Sequence, residues 1–177
     1  MTEISLAGLP QLGVFKDDQE ASLPVFATEL SACFDLCACL SPTKIVNKRN
    51  NLDNIAIGIS IGPERKLTVL PGDRVLVPTG LILDIPVGYS VRLHPRSGLA
   101  AKNGITLANA EGVIDADYVE PVFVLLTNIS DQAFVINHGD RICQGELVKV
   151  EALIITELQD RPTEKSSRSG GFGSTGS

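Results

Sequence analysis

A period of two runs through this chain, and that alternation constrains its fold more than any other feature. In the stretch 89–94, apolar and polar residues alternate strictly from Tyr89 to His94. A strand sends successive side chains to opposite faces, so this pattern makes a half-buried strand and not a helix. The runs 75–83, 122–126, 133–136 and 147–155 are short, apolar and rich in branched residues. Turn formers separate them: Pro71-Gly72-Asp73, Pro86-Val87-Gly88, Asn103-Gly104 and the stretch from Asn137 to Asp140. Short strands at this spacing predict an all-β antiparallel sandwich or barrel. Helical pattern is confined to one short segment starting at Ser97, which can cap it, and ending before Gly104.

The 177 residues predict a single core. A net charge of -6 argues against non-specific nucleic-acid binding, which needs a basic footprint. No apolar run approaches the length of a membrane span, and the first residues resemble no secretory leader, so a cytoplasmic protein is expected. Cys33, Cys37, Cys39 and Cys143 lack paired metal-ligand spacing and read as small, buried, reduced thiols. Residues 43–66 read as an extended hairpin. From about residue 159 the composition can no longer build a core and predicts a mobile tail.

Four segments carry possible chemistry. In the tail, Arg168 precedes Gly170, Gly171, Phe172, Gly173, Ser174 and Thr175. Glycines let backbone N–H groups converge on an anion, the hydroxyls and arginine add donors, and Phe172 could stack on a base. A solvated linker is the alternative. Arg96, Ser97 and Gly98 lie where a strand passes into the helix, whose first N–H groups suit a phosphate. The alternative is that Ser97 only caps. Asn109, Glu111, Gly112, Asp115 and Asp117 form the third segment. On extended chain the two aspartates share a side, and a carboxylate beside a phosphate could take a proton from water; a surface turn is the alternative. Arg141 and Gln144 follow the Gly139-Asp140 turn, which is also what a plain hairpin shows.

Taken in order, these segments resemble the five motifs of the trimeric dUTPase family. The first corresponds to residues 27–36, the second to 96–100, the third to 109–118, the fourth to 139–144 and the fifth to 168–176. Three features depart from the family pattern. Cys33 stands where glycine is usual, Tyr118 is followed by Val119-Glu120-Pro121, and the 43–66 hairpin is longer than the usual loop.

The resemblance implies a jelly-roll-like β-barrel domain over 1–158 and a lid over 159–177. It implies a homotrimer with active sites at subunit interfaces, hydrolysing dUTP to dUMP and pyrophosphate. Asn109, Gly112, Val113 and Ile114 would hold uracil, and Tyr118 the deoxyribose. Asp115 would activate water, with Asp117 structural. Arg96, Ser97, Gly98 and Gln144 would bind phosphate, with Arg141 bracing the scaffold. Mg²⁺ would ride on the triphosphate, with Asp35 reaching it through water. Arg168, Phe172, Gly173, Ser174 and Thr175 would close over the nucleotide. Two rivals are a dCTP deaminase, which shares the fold, and a regulatory nucleotide-binding protein acting through the hairpin.

Overall fold

The computed structural model describes residues 8–42, 45–49 and 56–166. Nearly every element is a short strand. They are β1 (Gly13–Lys16), β2 (Val25–Phe26), β3 (Phe34–Cys37), β4 (Ile45–Arg49), β5 (Ala56–Ser60), β6 (Lys66–Val69) and β7 (Arg74–Pro78). After these come β8 (Leu81–Asp84), β9 (Tyr89–His94), α1 (Ser97–Asn103), β10 (Ile105–Leu107), β11 (Gly112–Ile114), β12 (Phe123–Asn128), β13 (Phe134–Asn137) and β14 (Arg141–Lys149).

Two five-stranded sheets carry the fold, ordered β10-β12-β7-β4-β5 and β11-β9-β14-β3-β2. Two ribbons, β1-β8 and β13-β6, complete it. All pairings are antiparallel, as alternation and close turns predict. Val75 and Val77 on β7, Val124 and Leu126 on β12, and Val91 and Leu93 on β9 are buried together in the core.

The run 75–83 is two strands, β7 and β8, and Gly80 is the reason. Its φ is +70°, and a Cβ there would meet Cys39 Sγ at 2.8 Å and Ala21 Cβ at 2.9 Å. Only glycine turns the chain in that space. The run 147–155 also divides. β14 ends at Lys149, and Leu153, Ile154 and Ile155 are exposed, with no strand among the described residues paired to them.

Helix α1 ends as expected: Gly104 is left-handed and its N–H reaches the carbonyls of Leu99 and Ala100. Its start differs. The extended Arg96 is the N-cap and makes no side-chain cap bond, and Ser97 is already helical, so its hydroxyl does not cap. Of the 43–66 segment, the described strands β4 and β5 pair antiparallel, and β4 continues onto β7 through Lys48↔Val75 and Arg49↔Arg74. Lys48 ion-pairs with the buried Asp73, whose carboxylate also accepts the Leu70 N–H at 2.6 Å. The β4–β5 pair is thereby built into the sheet.

Two of the four cysteines, Cys39 and Cys143, are buried, whereas Cys33 and Cys37 are half-buried; all four are free thiols. Burial, with Asp35 nearby, pushes the Cys143 thiol up to about 12. Among the described residues no helix is long and apolar enough to cross a membrane.

Candidate active site

The β10–β11 connection makes the first wall of a cavity. Ala110 adopts φ +62°, and the turn is held by Ala110 N–H to Leu107 O at 3.2 Å and Glu111 N–H to Asn109 O at 2.7 Å. A positive φ on alanine is strained and persists only where neighbours enforce it. Gly112 then enters β11 opposite Leu93; a Cβ there would sit 3.0 Å from Leu93 Cβ, so glycine lets the two strands close.

The cavity behind this turn holds about 410 Å³. Asn109, Gly112, Val113, Ile114 and Tyr118 all line it. Leu76, Phe123 and Leu125 line the opposite side. Phe123 and Leu125 belong to β12 and Leu76 to its neighbour β7, far apart in sequence, and along the chain they read only as apolar residues. Register brings them together: Leu76 pairs with Leu125 across β7 and β12. Leu76 and Phe123 are also partly exposed, at 38% and 45%, on the outward faces of those strands. A mainly apolar slot of this kind suits a flat heterocycle.

Asp115 follows β11 directly and is exposed. The chain turns there, with Tyr118 N–H on the Asp115 carbonyl at 3.1 Å, so Asp115 and Asp117 lie on a turn and not on the extended chain on which alternate residues share a side. Tyr118 donates its hydroxyl to Pro121 O at 3.1 Å, which fixes its ring at the cavity edge. The Val119-Glu120-Pro121 departure thus contributes an anchor for that ring.

Arg96, Ser97, Gly98 and Gln144 lie elsewhere, around the ends of β9 and β14. Ser97 and Gly98 are exposed, and a Cβ on Gly98 would meet nothing within 4 Å. Arg96 lines a second cavity of about 280 Å³ with Arg141 and Asp140. Gln144 pairs with His94 on one side and Asp35 on the other.

Asp35 is 3% exposed and sits between two guanidiniums. Arg141 Nη1 lies 2.9 Å from Oδ2, and Arg96 Nε lies 3.3 Å from Oδ1. The Arg96 approach to Oδ1 is an ion pair without hydrogen-bond geometry, so that oxygen keeps free acceptor capacity. Arg96 Nη1 also donates to Arg141 O at 3.0 Å. Arg168, Phe172, Gly173, Ser174 and Thr175 lie outside the described residues.

An apolar cavity in an all-β fold, with a second hollow lined by Arg96 and Arg141 elsewhere on the chain, suits a nucleotide-handling protein. Comparison with known proteins narrows that class. The dUTPase family model matches residues 54–176, and the chain belongs to that family. It is 40% identical over 164 residues to the deoxyuridine 5'-triphosphate nucleotidohydrolase of Desulfotalea psychrophila, covering 91% of each chain. Among solved structures, the dUTPase of Streptococcus mutans matches with TM-score 0.60 at 27% identity, over 82% of this chain and 98% of that one. The Staphylococcus bacteriophage 80alpha dUTPase with dUPNHPP shares the fold, with TM-score 0.72 at 19% identity, over 94% and 99% of the two chains.

Proposed function

We propose that this chain hydrolyses dUTP to dUMP and pyrophosphate by attack of water on the α-phosphorus. The observation that carries the reading is the placement of Asp115. It is exposed and follows β11 directly, in the chain between Ile114 and Tyr118, which line the cavity together with Asn109, Gly112 and Val113. Uracil enters the slot and is read by main-chain groups of the β10–β11 turn. The slot's width disfavours a C5 methyl group. Tyr118, held by Pro121, packs under the deoxyribose and leaves no room for a 2′-hydroxyl. Asp115 accepts a proton from the attacking water.

Arg96, Ser97, Gly98 and Gln144 bind phosphate oxygens, and Arg141 holds Asp35. Mg²⁺ bound to the triphosphate supplies charge neutralisation at the phosphates. The free acceptor capacity of Asp35 Oδ1 fits a water of that ion, and its burial fits no direct bond. The tail residues Arg168, Phe172, Gly173, Ser174 and Thr175 close over the nucleotide.

A homotrimer completes the site. The base cavity and the Arg96 cavity are separate hollows of one chain, so bringing both to one nucleotide calls for a second subunit. Leu153, Ile154, Ile155 and Leu158 beyond β14 are exposed apolar residues suited to packing on a neighbour.

The test is one assay. The full-length protein with Mg²⁺ is offered dUTP, dCTP, dTTP and UTP in turn. Pyrophosphate and dUMP from dUTP, with little turnover of the others, is the expected outcome. Ammonia release from dCTP would replace this reading with the deaminase one.

A further inference from the structure

On the outer face of the second sheet, Cys33, His94 and Glu146 converge. Each offers one ligand atom, and those atoms all lie within 4.8 Å of one another. The neighbours that place them come from three parts of the chain. Cys33 enters β3, His94 closes β9, and Glu146 lies in β14 between them. Register sets the meeting: Phe34 pairs with Gly145, which brings the preceding Cys33 beside Glu146 on one side, and on the other His94 pairs with Gln144, two residues before Glu146 and so on the same face of the sheet. Gly145 makes this register possible, because the Phe34 ring occupies the space where its Cβ would be, 2.3 Å from Cε2.

We propose that Cys33, His94 and Glu146 form a binding site for a borderline divalent cation of the zinc class, separate from the magnesium that accompanies the nucleotide. The donor set decides the class. Thiolate, imidazole and carboxylate together suit zinc, whereas magnesium takes oxygen ligands. All three residues are partly exposed, so the ion can reach them and water can fill the fourth position.

The surroundings fit a ligating histidine. His94 Nε2 already lies 3.2 Å from Glu146 Oε2, and Nδ1 lies 3.8 Å from Glu111 Oε1. With Nε2 on the metal, the Nδ1–H faces Glu111, a carboxylate that orients the ring. Glu111 is held in turn by Arg92 at 3.3 Å. Burial, with the carboxylates of Glu146 and Asp35, pushes the Cys33 thiol above its ordinary range. The sulfur is therefore protonated until a cation arrives. On binding, the S–H bond breaks, the proton leaves to solvent and the sulfur–metal bond forms. The ion would clamp β3, β9 and β14 just before Arg96 and Ser97.

The full-length protein is stripped with a chelator, returned to buffer with excess Mg²⁺, and titrated with Zn²⁺ and separately with Co²⁺. One zinc per chain retained through gel filtration is expected, together with a near-ultraviolet sulfur-to-cobalt charge-transfer band. Cys33→Ser should abolish the band and weaken zinc binding at least about tenfold. Glu146→Gln should weaken zinc binding while keeping the band, and Cys37→Ser should change neither. Circular dichroism and gel filtration confirm that each variant is folded. Failure of the wild type to retain zinc, or full retention by Cys33→Ser, overturns the proposal. So does loss of the band in Cys37→Ser instead of Cys33→Ser.

Discussion

Arg141 Nη1 donates to Asp35 Oδ2 across 2.9 Å, joining two residues 106 apart in sequence. Asp35 is buried in β3, and Arg141 opens β14, where the register slips between Arg141 and Cys143. The bulge aims the guanidinium back at the carboxylate. Arg141→Ala leaves Asp35 with only Arg96, so we expect a loss of about 1–3 kcal/mol, the cost of an under-satisfied buried group. Arg141 is half-exposed, which keeps the figure below that for breaking a fully buried pair. Urea denaturation checks it; a midpoint equal to wild type would show that Arg96 suffices.

Asp115→Asn should lower kcat by about 10²–10⁴ and leave nucleotide affinity near wild type. The amide fills the same space but takes no proton. Single-turnover kinetics beside equilibrium binding of dUTP separate the two quantities. Retained turnover would assign the base elsewhere.

Gly145→Ala should destabilise the fold by about 1–3 kcal/mol or more, through overpacking. The Phe34 ring cannot yield easily: it is 4% exposed and meets Phe26 edge-on, with centroids 6.0 Å apart. Thermal unfolding reads the effect. An unchanged melting temperature would mean that β3 can shift without cost.

His138 makes stability fall in mild acid. Its Nδ1 accepts the Leu40 N–H at 3.1 Å, and Arg65 Nη2 lies 2.8 Å from the same nitrogen. Burial first, then the Arg65 charge, lowers its pKa below 6.5. Above 6.5 the ring is neutral in both folded and unfolded chains. Between 6.5 and the lower folded value the unfolded chain binds more protons, so stability falls as pH falls; below the folded value the loss is complete. His138→Asn should flatten that part of the profile. Melting temperatures of both proteins from about pH 7 to about pH 5 make the comparison.

Cutting the chain after Arg161 should leave it folded but with kcat severely reduced. The removed residues include one large apolar side chain, Phe172, so the core loses nothing. What goes is the lid proposed to order around the triphosphate. Full activity in the shortened protein would make the tail a linker.

Much of this protein was legible in its residues. Alternation predicted β9, short apolar runs between turn formers predicted β12 and β13, and Gly104 marked the end of α1, because strand pattern and left-handed turns are local properties. Asn109, Gly112 and Tyr118 stood out for the same reason: their spacing and types are visible within ten residues. Other features needed long-range pairing. Leu76, Phe123 and Leu125 face one cavity only through the β7–β12 register. The run 75–83 broke at Gly80 because Cys39 and Ala21 pack against it from distant chain. The strand-like residues of 43–66 were readable, but the seat of β4 in the sheet shows only in its pairing with β7 and in Lys48 reaching Asp73. Cys33 looked like a stray thiol until the β3–β14 register set it beside Glu146 and His94. Sequence by itself determined the elements and the chemically notable residues, since both depend on neighbours along the chain. Tertiary structure decided which of them meet, since strand register is settled by the packing of side chains far apart in sequence.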